Sequence, residues 1–119
     1  AWFPQPAGMD SWLEVYMATA RANGGEPDAG SRLLAWSRAA GFREVTTSAS
    51  AWCFATEQDR EWWSGTWAER CLTSFGPRAV ELGLATTSDL ETMAEAWQQW
   101  GASEDGWFVV VHGEVLLRA

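Results

Sequence analysis

Hydrophobic and polar residues change their period along the chain, and each change marks an element. Residues 42–55 alternate, and period two is typical of a β-strand. Small side chains on both sides of this strand indicate that helices pack close to it. A second apolar run predicts a strand over 107–117, with Gly113 as a bulge or a point of close approach. One side of the first strand holds Val45, Thr47, Ala49, Ala51 and Cys53, and the other holds Thr46, Ser48, Ser50, Trp52 and Phe54.

Helical spacing predicts two helices before the first strand. A capping box formed by Ser11 and Glu14 predicts the start of a helix that ends near Asn23. A second helix is expected over 28–40, with Gly41 as its C-terminal cap.

Three further helices are expected between the two strands. Thr56 is a suitable N-cap for a helix that runs to about Thr73. A short helix around Pro77 follows, and a capping box of Ser88 and Glu91 predicts the start of the last helix. Four-residue spacing stacks one set of side chains along the first of these helices: Asp59, Trp63, Trp67 and Cys71. The last helix turns a different set inward: Leu90, Met93, Ala94, Trp97 and Trp100.

This order predicts an α/β fold with about five helices and two long strands, at about 43–55 and 107–117. Residues 1–119 are long enough for a single domain, or form a fragment of one. About fifty helical residues separate the strands, so they do not form a hairpin, and two strands alone make a poor sheet. We therefore expect the free strand edges to pair with further chain or with a second copy.

Composition restricts the class of partner. Sixteen Asp and Glu face eight Arg and no Lys, and the net charge is −8. The arginines are scattered singly, which argues against binding to nucleic acid or to an anionic membrane surface. No apolar run is long enough to span a bilayer and no signal peptide is seen, so we expect a cytoplasmic protein. The absence of Lys and Ile indicates a GC-rich, bacterial genome.

Candidate chemistry is sparse. No phosphate-binding Gly-rich loop, nucleophile elbow or zinc signature is present, and Cys53 and Cys71 are expected to be free thiols. His112 and Glu114 share a strand face, so the carboxylate could orient the imidazole, or both could simply be solvated. Two arginines of the second helix could hold an anion or form a charged surface, namely Arg32 and Arg38.

Tryptophan is the most distinctive residue, with ten in the chain and four between residues 52 and 67. Trp63 and Trp67 could line a pocket or pack in the core, and Gly65 between them could mark a close approach. Trp52 and Phe54 are expected to pack against the helices that cover the strand. Because tryptophan rarely buries every atom, some of the ten should line a groove.

Several strings occur in an order that resembles the C-terminal half of class I, UbiE-like S-adenosylmethionine-dependent methyltransferases. The resemblance extends over nearly the whole chain. The strings that carry it are Trp2-Phe3-Pro4, residues 22–30 (ANGGEPDAG), residues 32–36 (RLLAW), residues 39–42 (AAGF), residues 52–56 (WCFAT), residues 106–108 (GWF) and residues 112–114 (HGE).

The resemblance implies that the two long strands are the sixth and the antiparallel seventh of a Rossmann-like sheet. In the family, S-adenosylmethionine lies on a Gly-rich loop after the first strand, and an acidic residue after the second holds its ribose. Neither element is present here. The resemblance therefore assigns no catalytic, cofactor-binding or metal residue to this chain, and the cofactor belongs to the full-length enzyme.

What the resemblance does place on this chain is the substrate side of the enzyme. The loop at residues 2–4 would follow the fifth strand at the active-site rim. The first helix would form a lid, and the Trp63 helix would belong to an insertion between the last two strands. The candidate substrate-binding residues are Trp2, Phe3, Trp12, Tyr16, Trp63, Trp67 and His112.

We therefore expect the C-terminal portion of a methyltransferase, inactive alone. Its partner would be the missing N-terminal half or a second copy in a homodimer, and its small-molecule substrate is undefined. The alternative is a stand-alone Trp-rich module that binds a hydrophobic ligand or a protein partner, or that dimerises. A small enzyme using His112 and Glu114 is a third possibility.

Overall fold

A computed structural model describes residues 1–118, which form five helices and three strands. Both long strands and the helix count are as predicted. The additional strand has only two residues, too few to show a period in the sequence. In chain order the elements are β1 (Trp2–Phe3), α1 (Met9–Ala22), α2 (Ala29–Ala39), β2 (Glu44–Phe54), α3 (Glu57–Thr73), α4 (Phe75–Glu81), α5 (Thr87–Ala102) and β3 (Trp107–Arg118).

The sheet has the order β1-β3-β2, and both pairings are antiparallel. The β2–β3 ladder runs without a shift from Glu44 opposite Arg118 to Phe54 opposite Phe108. Gly113 is therefore not a bulge. A Cβ atom at this position would overlap the carbonyl oxygen of Gly30 in α2, so the predicted close approach is confirmed.

Helices cover the sheet unevenly. Phe54 and Phe108 join the buried core together with residues of α1, α3 and α5. Residues 46–53 of β2, in contrast, are all exposed. The expectation that helices pack close on both faces of this strand is therefore wrong along most of its length.

The covered and bare regions give the molecule a flat outline of 48 × 35 × 18 Å. Its radius of gyration is 16.7 Å, whereas a compact domain of this length has about 13.5 Å. The long ladder of β2 and β3 therefore extends beyond the helices that cover one end of it.

The capping signals in the sequence predict the start of α3 correctly, but they do not predict the starts of α1 and α5. Thr56 caps α3 as predicted, accepting a hydrogen bond from the backbone N–H of Asp59, and the Asp59 side chain completes a capping box. In α5 the capping box is formed by Thr86 and Asp89, two residues before the predicted pair. The same Ser/Thr-x-x-acid spacing occurs at both places, and tertiary packing selects one of them.

The start of α1 also differs from the prediction. The helix begins at Met9, with Gly8 as its N-cap at a φ of 105°. Ser11 therefore lies inside the helix and caps nothing. Left-handed backbone of this kind favours glycine, and Met9 just after it is fully buried. Among residues 1–118, no helix is long and apolar enough to cross a membrane.

Candidate functional site

Ten buried or half-buried aromatic side chains form a continuous set of ring contacts, here called the aromatic cluster. Exposed Trp62 contacts Phe54 and Trp63 at its edge. At its centre Trp97 has no exposed surface. The ring centroid of Trp97 lies 4.7 Å from that of Trp12, edge to face, and 5.8 Å from that of Trp67, nearly parallel. Such pairs add about 0.5–1.5 kcal/mol each beyond their buried area. The cluster consists of Trp2, Trp12, Tyr16, Phe54, Trp63, Trp67, Phe75, Trp97, Trp100 and Phe108.

Five of the seven predicted substrate-binding residues meet in this cluster. Trp12, Trp63 and Trp67 are buried inside it, and 9% or less of each is exposed. Trp2 and Tyr16 are half-buried at its rim. The ring of Trp2 stacks on Phe108 at 5.5 Å, and the ring of Tyr16 meets Trp67 edge to face at 5.0 Å. Only the two rim residues present surface to a ligand.

The indole N–H groups of the cluster show how closely it is packed. Those of Trp2, Trp12, Trp63, Trp67 and Trp97 are buried without a hydrogen-bond acceptor among the described residues. Buried polar groups normally have partners. Here edge-to-face pairs set the electropositive ring edges against neighbouring π faces, which supplies a weaker substitute. The interior of the cluster is a packed core.

Phe3 lies outside the cluster. Successive strand residues point to opposite faces, so Phe3 points away from the side on which Trp2 stacks. Its side chain is 60% exposed, and it pairs in register with Trp107, which is 42% exposed. The backbone carbonyl of Phe3 nevertheless accepts a 3.1 Å hydrogen bond from the indole N–H of Trp100. The rim segment is thereby fixed to α5, and Trp107 is an exposed neighbour that the sequence did not single out.

His112 is separated from the other candidates. It lies four residues beyond Phe108 on the same face of β3, about 13 Å along the strand. Its ring lies against Trp52 at a tilt of 59°, with centroids 4.3 Å apart, and its Nδ1 atom is buried without a partner in the described part of the chain.

Glu114 does not orient the His112 imidazole. Its carboxylate instead accepts hydrogen bonds from the hydroxyls of Ser50 and Ser48 on β2. These two bonds, the one from Ser50 first, lower the pKa of Glu114. Because the carboxylate is bonded to these two serines, the alternative in which Glu114 orients His112 as an acid–base pair is not formed.

An exposed groove runs beside the free edge of β2. Trp52 and Trp62 are each 58% exposed and border a space of about 470 Å³ lined by residues 51–54 and Trp62. We call it the edge groove. The expectation that helices cover Trp52 is therefore wrong, although it is confirmed for Phe54.

The remaining candidates have simple surroundings. Arg32 and Arg38 are both exposed on α2, in line with a charged surface. A Cβ atom at Gly65 would meet nothing within 4 Å. The expectation that Gly65 marks a close approach of another element is therefore wrong. Within residues 1–118, no group of three or more His, Cys, Asp or Glu could hold a metal ion.

The two cysteines are free, and they differ in burial. Burial raises the pKa of Cys71 to about 12, whereas Cys53 is exposed. Because the thiolate is the reactive form, we expect Ellman's reagent to modify one thiol in the native protein and two after denaturation in urea. The variant Cys53→Ser should show no fast native reaction. Rapid modification of both thiols in native protein would contradict the buried position of Cys71.

Comparison with known proteins finds a similar sequence. The chain is 32% identical over 108 residues to an uncharacterized methyltransferase of Schizosaccharomyces pombe. The match covers 87% of this chain and 38% of that protein, so the chain spans just over a third of the length of its relative. No family model and no solved structure matches the chain. The chain is thus similar to part of a methyltransferase.

Proposed function

We propose that this chain is the C-terminal portion of an S-adenosylmethionine-dependent methyltransferase and supplies the substrate side of its pocket. The observation that carries the proposal is the similarity to 38% of a methyltransferase over most of this chain. Cofactor binding and catalysis belong to the full-length enzyme, because the Gly-rich loop and acidic residue that hold the cofactor in this family have no counterpart here.

The sheet supports this assignment. We assign β2 and β3 to the sixth and seventh strands of a Rossmann-like sheet, and β1 to the segment that follows the fifth. β3 is antiparallel to both neighbours, as the seventh strand should be. Beyond Val109, no described residue pairs with the edge of β3 that β1 uses, and this edge continues to Arg118. We propose that the remaining sheet of the enzyme joins along it.

We assign the substrate side from the candidate residues whose side chains are accessible. Trp2 and Tyr16 present aromatic surface that Trp12, Trp63 and Trp67 hold from within. Phe3 is exposed on the opposite face of β1. Methyl transfer needs alignment and exclusion of water more than it needs an acid or a base, and rigid aromatic walls provide both. His112, whose ring lies against Trp52, would contribute only to a more distant part of the pocket.

Cofactor binding tests this proposal. We expect isothermal titration calorimetry of the 119-residue chain to give no heat with S-adenosylmethionine. A longer protein that includes the sequence encoded upstream of Ala1 should bind the cofactor with micromolar affinity, and adenosine serves as the control for nonspecific binding. Micromolar binding by this chain alone, or an upstream sequence that lacks a strand followed by a Gly-rich loop, would contradict the proposal.

A second candidate is a stand-alone Trp-rich binding module. The observation that favours it is the pair of indoles exposed in the edge groove, Trp52 and Trp62. An initiator Met encoded just before Ala1 would support the module and count against the methyltransferase portion.

A further inference from the structure

We infer that the outer edge of β2 pairs with the same edge of a second copy of this chain, antiparallel about a two-fold axis. The inference concerns the edge opposite to the one that the methyltransferase proposal uses. It therefore stands or falls independently of that proposal.

The outer edge of β2 lacks the features that normally prevent strand pairing. Natural edge strands are protected by charged side chains, proline, bulges or a covering element. Residues 45–54 contain no charge and no proline, and the ladder to β3 has no bulge. Eleven residues give an edge about 37 Å long, with which no described residue pairs.

The charges at the two ends of β2 favour the antiparallel orientation. Its first end carries Arg43, Glu44 and Arg118 around one surface depression, with a net positive charge. Its last end leads into α3, where Glu57 and Glu61 are exposed. Antiparallel pairing brings the first end of one strand to the last end of the other, so Arg43 of one copy approaches Glu57 of the second. The two-fold axis produces this pairing twice.

The edge groove supplies the apolar part of the same surface. Trp52 and Trp62 flank the last third of the edge, and more than half of each side chain is exposed. A strand lying along this edge would cover both indoles while its backbone bonds to β2. Extended segments bind sheet edges in this way, with main-chain hydrogen bonds giving affinity and side-chain pockets giving specificity. A two-fold axis perpendicular to the sheet would also place both copies of α2 on the same face of the combined sheet.

Analytical ultracentrifugation with two matched variants tests the inference. The wild-type chain should sediment at twice its mass of 13.2 kDa at high micromolar concentration. Ala51→Lys places a charge beside the outer edge and should raise the dissociation constant of the dimer roughly tenfold or more. Val111→Lys is the control, because Val111 lies directly opposite Ala51 on the same sheet face but away from the outer edge of β2. This variant should dimerise like the wild type.

Three outcomes would overturn the inference: a monomeric wild type, a dimer that Val111→Lys weakens as much as Ala51→Lys, or a dimer that Ala51→Lys leaves intact. Far-UV circular dichroism establishes that each variant is folded. A measurement without substitutions is hydrogen exchange of the wild type at two concentrations. Dilution should increase exchange in residues 44–54, and equal exchange at concentrations that bracket dissociation of the dimer would also overturn the inference.

Discussion

Replacing Trp97 with alanine is expected to lower the free energy of unfolding by about 3–5 kcal/mol, the cost of removing a large buried aromatic side chain. The indole has no exposed surface and contacts Trp12, Trp67 and Phe108, so its loss leaves a cavity between three elements. Domains of this size have a stability of about 5–15 kcal/mol, so much of the total would be lost. Urea denaturation followed by far-UV circular dichroism measures the change at a fixed protein concentration.

Trp62→Ala is the matched control for this variant. Both changes remove an indole, but Trp62 is 58% exposed, whereas Trp97 is fully buried. At a concentration too low for the inferred dimer, we expect the control to cost less than about 1 kcal/mol. Equal losses in the two variants would show that Trp97 is not at the centre of the core.

Gly76→Ala is expected to destabilise the chain by about 3 kcal/mol, in the range of severe overpacking. A Cβ atom at this position would overlap the carbonyl oxygen of Cys71 and lie 2.7 Å from its carbonyl carbon. It would also lie 2.9 Å from Cδ1 of Leu90. Because the obstruction is backbone at the junction of α3 and α4, it cannot move aside as a flexible side chain could. The midpoint of thermal or urea unfolding reports the loss.

Gly65→Ala is the control for that substitution, and we expect it to stabilise the chain. Gly65 lies within α3, and its added Cβ atom would enter open space. Alanine is the better helix former by about 0.5–1 kcal/mol, so this variant should be more stable than the wild type. A Gly76→Ala variant as stable as Gly65→Ala would mean that α4 does not follow α3 as closely as described.

Much of the local structure could be predicted because its signals are local. Alternation identified β2, and three- and four-residue spacing identified the buried face of α5, including Trp97 and Trp100. The N-cap at Thr56 identified the start of α3. Errors arose where a local pattern recurs nearby, as at Ser88, or where a positive φ overrides it, as at Gly8.

The candidate site could be predicted only in part, because the spacing of residues along a helix or strand does not determine whether their side chains are exposed. Trp63 and Trp67 have the same helical spacing whether they face a ligand or a core, and contact with Trp12, Phe54 and Trp97 makes them core. Trp52 lies one pleat from buried Phe54 on the same face, yet it is exposed because the helices end before reaching it.

By itself the sequence determined the number of long elements, their order and the apolar faces of α3 and α5, because periodicity and caps act within a few residues. Only the tertiary structure decided that β2 and β3 pair along their whole length and that the aromatic cluster fills its own interior. It also decided which edges and indoles remain bare. These properties depend on which distant elements meet, and that is set by long-range packing of side chains from α1, α3, α5 and the sheet.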